Sequence, residues 1–235
     1  MAETIQFHDF ITLHYIGKLP DGTVFDTTEE AVAKQHQLYN QNASYGPMTI
    51  CIGEKQILPG LDDALLGKEI GKKCTVALSP EQAFGKRDIK NLRIVPMSVF
   101  REHKMNPRPG LQITVDGQLG IVNSVSGGRV IVNFNHPLAG REVQYAVEII
   151  EKVTDAKKQL EAFLHTAFHI PTKDMRVELQ GKKAIVTVPM ALPNEFSEML
   201  GKKLATLTGL EEVTIAGKTM PKEVARQEAG PAPEA

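Results

Sequence analysis

Few residues of this sequence combine the type and spacing that metal, nucleotide or acid-base chemistry requires. The seven histidines are scattered, with no His-Glu-x-x-His or Cys-x-x-Cys spacing, so the sequence predicts no metal site. The glycines near Gly53 and Gly127 lack the spacing of a phosphate-binding loop. Asp62 and Asp63 could form a carboxylate pair, but acidic residues next to helix ends usually belong to a solvated face. We therefore expect an activity that needs no cofactor.

Aromatic, aliphatic and glycine residues instead recur in a fixed order along the first part of the chain. The order is Tyr15, Gly22-Thr23-Val24-Phe25-Asp26, Ile52-Gly53, Gln56-Ile57-Leu58-Pro59-Gly60-Leu61, Gly71 and Pro80-Glu81-Gln82-Ala83-Phe84-Gly85. Each motif is weak alone, but this succession resembles the FKBP-type peptidyl-prolyl cis/trans isomerases. After a gap, Asn135-His136-Pro137-Leu138-Ala139-Gly140 and Val143-Gln144-Tyr145-Ala146-Val147-Glu148 resemble the closing strand of the SlyD-like subfamily. The resemblance covers about residues 5–154.

The resemblance implies a catalytic pocket for a proline-containing peptide. Asp26 would be its polar wall, and the remaining lining residues would be Tyr15, Phe25, Ile57, Leu58, Leu61, Phe84 and Tyr145. The alternative for any single Ile or Leu among them is an ordinary core position. An apolar pocket suits the reaction, because twisting a prolyl amide crosses a barrier of ~18–20 kcal/mol and moves no proton. The predicted function is a peptidyl-prolyl cis/trans isomerase with chaperone activity that accelerates proline-limited folding.

Three positions depart from the family pattern. Leu61 stands where many members carry a tryptophan, and we expect activity to survive because SlyD-like members commonly have an aliphatic residue there. Phe84 replaces a tyrosine whose hydroxyl donates to the substrate, which removes a hydrogen bond of ~0.5–1.5 kcal/mol. Tyr145 replaces a phenylalanine and adds a hydroxyl that needs a partner. The histidine-rich tail of bacterial SlyD proteins is missing, so no nickel role carries over.

Turn residues and periodicity predict the elements that must position these side chains. Pro20-Asp21-Gly22 joins two strands, 10–16 and 23–25, into a hairpin, and a short helix is expected within 29–38. Further strands are expected at 48–52, 72–78 and 142–153, with a helix around Leu61 to Leu66. The predicted fold class is α+β, with an FKBP-like antiparallel sheet wrapped on a short helix. That unit would comprise residues 1–86 and 138–154.

The segment between these two parts differs from them in charge. Residues 86–137 carry a net charge of +5, whereas residues 1–85 carry −5 and the whole chain −1. Short strands with glycine between them are expected at 111–115, 120–124 and 129–134. The resemblance places here, at 87–137, a small β-rich chaperone domain inserted in the flap. Most apolar residues of 92–105 would be core, and Met97, Phe100 and Met105 are the candidate client-binding residues.

Two alternatives concern this basic segment and the protein's activity. A basic, glycine-rich barrel could bind RNA or the ribosome, but the segment lacks the alternation of basic and aromatic residues that stacking on nucleic acid requires. We therefore expect unfolded or partly folded polypeptides with X-Pro bonds as partners, rather than nucleic acid. The other alternative is a holdase chaperone that binds unfolded chains with little isomerase turnover.

The last part of the chain has a different periodicity. A helix at 160–168 with Asp155 as N-cap, strands at 175–179 and 183–188, a helix at 194–208 and a strand at 212–215 predict an αββαβ unit over 155–228. With the long excursion after Asp26, this unit resembles the archaeal long-type members. We expect it to mediate homodimerisation through an open strand edge, or else to pack only on its neighbour. Residues 229–235 are an expected tail.

Composition bears on the compartment. Two cysteines, Cys51 and Cys74, cannot build a disulfide framework, and both lie in apolar runs where a free thiol behaves as a small hydrophobe. No export signal and no run of 18 apolar residues is present. The sequence therefore predicts a cytoplasmic protein with no membrane partner.

Overall fold

Three sheets organise the part of the chain that the computed structural model describes, residues 3–115 and 117–217. The strands are β1 (Phe10–Lys18), β2 (Val24–Thr27), β3 (Met48–Cys51), β4 (Lys73–Leu78), β5 (Leu92–Pro96), β6 (Gln112–Val115), β7 (Gln118–Ser126), β8 (Arg129–Asn133), β9 (Val143–Val153), β10 (Arg176–Gln180), β11 (Lys183–Val188) and β12 (Glu212–Gly217). The helices are α1 (Glu30–Gln35), α2 (Pro59–Leu65), α3 (Met97–Glu102), α4 (Ala156–Phe168) and α5 (Asn194–Thr208). The protein is therefore of the α+β class.

The first sheet is antiparallel, in the order β2-β1-β9-β4, and β3 also pairs with β1. Strand β1 is long enough to pair with β3 along its first half and with β2 along its second half. Alternate residues of β9 are buried, which turns Tyr145 toward the core and Gln144 toward solvent. Helix α2 lies against this buried face, and Leu61 and Leu65 pack there with Ile11 and Ile50. The predicted hairpin, helices and strands of this part are confirmed.

The second sheet, β5-β8-β7-β6, is formed by the chain between β4 and β9. Its small core contains Phe100 of α3 together with Ile113, Val122, Val130 and Val132. The strands expected around 111–134 are confirmed, but β5 and α3 were not assigned from the sequence. Pro96 separates them, because proline ends the strand and stands directly before the first residue of the helix.

The third sheet contains β10, β11 and β12, with β11 antiparallel to β10 and parallel to β12. Helices α4 and α5 bury its apolar face, and the observed order of elements matches the predicted αββαβ order. Its core also includes Phe10, Cys51 and Val153 from the first sheet, so the third sheet and its helices pack directly against the first sheet. The end of the predicted unit, 218–228, and the predicted tail, 229–235, lie outside the described residues.

Among the described residues, no helix is both long enough and apolar enough to cross a bilayer.

Candidate active site

The neighbouring strands β1 and β2 bring Tyr15 and Asp26 together. The Tyr15 hydroxyl donates to Asp26 Oδ2 at 2.9 Å. The Tyr15 backbone is fixed from both sides, because its carbonyl accepts from Thr27 Oγ1 at 3.1 Å and its N–H donates to Thr28 Oγ1 at 3.0 Å. Thr27 and Thr28 are themselves buried, so this bonding locks the position from which the Tyr15 ring projects.

Four of the predicted pocket residues form a continuous row of rings. Tyr15 and Phe25 each meet Tyr145 edge to face, with centroids 5.6 and 5.8 Å apart, and Phe25 meets Phe84 at 5.8 Å. These separations and tilts are those at which aromatic pairs attract beyond the area they bury. The next ring was not predicted from the sequence: His136 lies parallel to Phe84, with the ring centroids 4.5 Å apart. Its only sequence signal was its place in the Asn135 to Gly140 motif.

Gly17 of β1 lets the rings of Phe25 and Tyr145 lie directly against the strand. This role of Gly17 was not predicted from the sequence. A Cβ atom at Gly17 would lie 2.8 Å from Phe25 Cζ and 3.1 Å from Tyr145 Cε1. Both are tighter than ordinary van der Waals contact, so any side chain at this position must displace a ring.

The aliphatic residues of the predicted pocket come from the segment that enters α2. Ile57 and Leu58 are half-buried against the same core cluster as the rings, and Leu61 is buried beneath them. The turn that carries Phe84 packs closely against the start of α2, since a Cβ at Gly60 would lie 2.6 Å from the Gln82 carbonyl oxygen. The structure therefore gathers all eight predicted catalytic residues around one region.

Asp62 corrects an expectation. Rather than joining a solvated face, its side chain is only 2% exposed, and its carboxylate accepts from the backbone N–H groups of Gly53 and Lys55 at 3.0 and 3.1 Å. Lys55 has a left-handed backbone conformation, and its bond to Asp62 stabilises this conformation in the loop before Ile57. Asp63 is exposed.

The electrostatics of the row keep its hydroxyls protonated. Burial, and secondarily the nearby Asp26 carboxylate, raises the pKa of both Tyr15 and Tyr145 well above the ordinary tyrosine value. The Tyr15 hydroxyl therefore stays protonated at neutral pH and donates to Asp26. The added Tyr145 hydroxyl makes no hydrogen bond to the described residues. Such a set can bind and desolvate an amide, but it contains no poised acid-base pair.

The candidate client-binding residues are not brought together on a surface. Phe100 is 1% exposed and forms the centre of the second core, so its assignment as a client-binding residue is wrong in this structure. Met97 is half-buried against that core, and Met105 is 41% exposed. The reason is size, because a sheet with one short helix needs its large aromatic side chain as core.

Within residues 3–115 and 117–217, no group of three or more His, Cys, Asp or Glu side chains lies close enough to hold a metal ion.

Comparison with known proteins places these features in a family. The model described as FKBP-type peptidyl-prolyl cis-trans isomerase matches residues 2–100, and that of the FKBP26 IF domain matches residues 93–138. A short-type peptidyl-prolyl cis-trans isomerase of Methanocaldococcus jannaschii is 30% identical over 149 residues, 63% of this chain and 94% of that protein.

Two bacterial proteins give the same result. A probable FKBP-type 16 kDa isomerase of Pseudomonas fluorescens is 32% identical over 60% of this chain and 87% of its own length. The SlyD isomerase of Haemophilus influenzae is 28% identical over 60% of this chain and 68% of its own length. Since the aromatic row, the Tyr15–Asp26 pair and these relatives agree, the chain belongs to the FKBP-type peptidyl-prolyl cis-trans isomerases and is SlyD-like.

Proposed function

We propose that the ring row of Tyr15, Phe25, Phe84 and Tyr145 binds the prolyl residue of a polypeptide. Asp26 is its polar wall, and Ile57, Leu58 and Leu61 form its aliphatic side. The observation that carries this proposal is the Tyr15–Asp26 hydrogen bond at one end of the row. It sets a charged acceptor beside an otherwise apolar surface.

The arrangement supports catalysis by differential binding. A planar amide is strongly dipolar, whereas the twisted amide has lost its conjugation, so an apolar surface favours the twisted form. Each decade of rate requires 1.36 kcal/mol, and an acceleration of about 10⁴ therefore requires only ~5–6 kcal/mol. Burial of a prolyl ring against aromatic side chains is of a size to supply this.

Alanine substitutions at the polar end test the pocket. We expect Asp26→Ala and Tyr15→Ala to lower kcat/KM for a proline tetrapeptide well beyond their effect on stability. Circular dichroism and the urea midpoint control for folding. Wild-type turnover in both folded variants would show that the pocket lies elsewhere.

We also propose that residues 87–137 form an insert-in-flap domain that holds clients beside this pocket. The segments that enter and leave this domain, here called its base, are joined by two hydrogen bonds. The Asp88 N–H donates to Asn135 Oδ1 at 2.9 Å, and Asn135 Nδ2 donates to the Asp88 carbonyl at 3.0 Å. Next to Asn135, His136 stacks on Phe84. A client bound to the second sheet is thereby kept at a high local concentration near the ring row.

The outer face of the second sheet is the better candidate for client binding. Ile94 pairs with Ile131 across β5 and β8, and both point away from the Phe100 core. Ile94 and Leu119 are each 61% exposed, and Leu92 and Ile121 share their face. An open row of aliphatic side chains suits contact with unfolded chains of varied sequence.

Serine substitutions on this face test the chaperone proposal. Ile94→Ser and Leu119→Ser should weaken suppression of client aggregation and leave tetrapeptide isomerisation unchanged. Gln112→Ser, a polar change on the same face, is the matched control. Unchanged aggregation assays would refute the face assignment. If the wild type suppressed aggregation but had no measurable turnover, the holdase alternative would replace the isomerase proposal.

For the third sheet we propose homodimerisation through residues 155–228. Strands β10 and β12 are the outer strands of a three-stranded sheet, and an exposed edge can pair with the same edge of a second copy. Light scattering of the full-length protein across micromolar concentrations decides the matter, and a monomer throughout would refute the proposal. Truncation at Thr154 is a poor test, because it would uncover Phe10, Cys51 and Val153.

We propose a reducing, cytoplasmic setting because Cys51 and Cys74 are both free thiols, and burial raises the pKa of Cys51 to about 12. Membership of the archaeal long-type group is proposed from the third sheet and the excursion after Asp26.

A further inference from the structure

The loop of residues Gly53 to Gln56 connects β3 to the segment that carries Ile57 and Leu58. Asp62 holds its inner side through the Gly53 and Lys55 N–H groups. The loop runs directly into Ile57 and Leu58, the aliphatic side of the proposed pocket. A second group that holds the loop in place therefore also fixes the position of Ile57.

Gln56 is such a group, and it reaches beyond the first sheet. Its Oε1 accepts from the Cys51 N–H at 2.8 Å, at the end of β3. Its Nε2 donates to the Phe163 carbonyl at 3.4 Å, in the middle of α4. One half-buried amide therefore ties the loop to its own sheet and to a helix more than one hundred positions away in sequence.

Further contacts join α4 and α5 to the loop and to β3. Glu54, in the same loop, forms an ion pair with Lys203 of α5, and the Lys203 ammonium lies 5.8 Å from the Phe163 ring centroid. Thr166 Oγ1 donates to the Thr49 carbonyl at 3.1 Å, and Cys51 is buried in the core of the third sheet. The loop is thus held between two rigid elements.

We infer that Gln56 is a positioning residue for the isomerase reaction, through which the helices of the third sheet hold Ile57 and Leu58 in place. Its side-chain amide is bonded to Cys51 and Phe163, so it acts through Ile57 and Leu58 rather than on the substrate itself. The inference rests on the proposed pocket, since it matters only if Ile57 and Leu58 line it. A small displacement of such a wall is enough to change transition-state binding measurably.

Three variants of the full-length protein separate this role from general stability. Gln56→Met keeps the length of the side chain and removes both hydrogen bonds, so kcat/KM for a tetrapeptide should fall about three- to tenfold. Thr166→Val removes a contact of the same kind between the same units but outside the loop. It should keep wild-type kcat/KM even where its urea midpoint falls as much as that of Gln56→Met.

The pH dependence of kcat/KM in Gln56→Glu distinguishes a positioning role from a purely structural one. A protonated glutamic acid can both accept from Cys51 and donate to Phe163, as glutamine does, whereas the carboxylate would face the Phe163 carbonyl. Burial and the neighbouring Glu54 and Asp62 favour protonation, and Lys203 opposes it. Relative to wild type, its kcat/KM should therefore be restored near about pH 5 and reduced about threefold or more near about pH 8.

The outcomes are distinct. Flat pH ratios for Gln56→Glu together with wild-type kcat/KM for Gln56→Met overturn the inference. If these results occur while Asp26→Ala is impaired, only the positioning role fails. If Asp26→Ala is also active, the pocket assignment itself has failed. Losses in Thr166→Val equal to those in Gln56→Met would likewise overturn the inference, because contact between the units in general would then be responsible.

Discussion

The Tyr15 hydroxyl joins the apolar row to its polar wall through its hydrogen bond to Asp26. Tyr15→Phe keeps the ring and removes the bond to Asp26, so we expect kcat/KM to fall about three- to tenfold, the value of one hydrogen bond. Tyr39→Phe is the matched control, because Tyr39 stacks on Tyr45 and not on the row. A tetrapeptide assay of both variants checks this, and equal activities would contradict it.

The raised tyrosine pKa values predict how stability depends on alkaline pH. Unfolded tyrosines ionise at about pH 10, whereas burial keeps Tyr15 and Tyr145 protonated in the folded protein. The stabilisation is therefore fully present below that pH and is lost as the pH rises, because the unfolded state then binds fewer protons. Urea unfolding between about pH 9 and pH 11 should show a steeper loss in wild type than in Tyr15→Phe or Tyr145→Phe. Parallel curves would contradict the burial of these hydroxyls.

Gly17 is expected to be essential for the shape of the row. Gly17→Ala places a methyl group against Phe25 and Tyr145, and overpacking of this kind costs ~1–3 kcal/mol. We expect loss of both stability and turnover. Gly120→Ala meets Val132 and Phe134 in the second core just as closely, so it should destabilise that sheet and spare the tetrapeptide assay. Turnover that is unaffected in Gly17→Ala would show that the rings need not lie where they do.

At the scale of the element, the sequence pattern predicted a helix or strand correctly where one side of the segment is buried. Helix α4 starts at its predicted cap, where Asp155 Oδ1 accepts from the Lys158 N–H at 2.8 Å, and β9 follows the expected alternation. Strand β5 was missed because Leu92 and Ile94 are apolar yet exposed, so its pattern does not separate two faces. Phe100 was a candidate client-binding residue because the apolar residues of 92–105 show no period that separates core positions from surface positions.

The cap of α4 gives a stability prediction. Asp155→Ala removes the side-chain acceptor and should cost about 1 kcal/mol. Lys157→Ala is a suitable control, since it removes only an exposed pair with Glu161 at 3.9 Å, which is worth little. Urea midpoints measure both changes. Equal shifts would show that the cap does not stabilise the helix.

At the scale of the whole molecule, family motifs identified the eight residues that the fold gathers, but not the contacts that hold them. Asp62 can be buried because its carboxylate accepts hydrogen bonds from the backbone of a loop. Gln56 bonds Phe163 across the boundary between the first and third sheets. Such contacts join positions that no local pattern relates. His136 lies against Phe84 for the same reason, since the second sheet separates them in sequence and its base brings them together.

The division of labour between the ring row and the second sheet is tested by replacing residues 89–134 with a short FKBP-like flap, which keeps His136 against Phe84, and by measuring kcat/KM on two substrates. If the ring row catalyses and the second sheet supplies clients, isomerisation of a tetrapeptide should stay near its wild-type value. Proline-limited refolding of an unfolded protein should slow by about tenfold or more, because the gain in local concentration is lost. Equal losses on both substrates would contradict this division of labour.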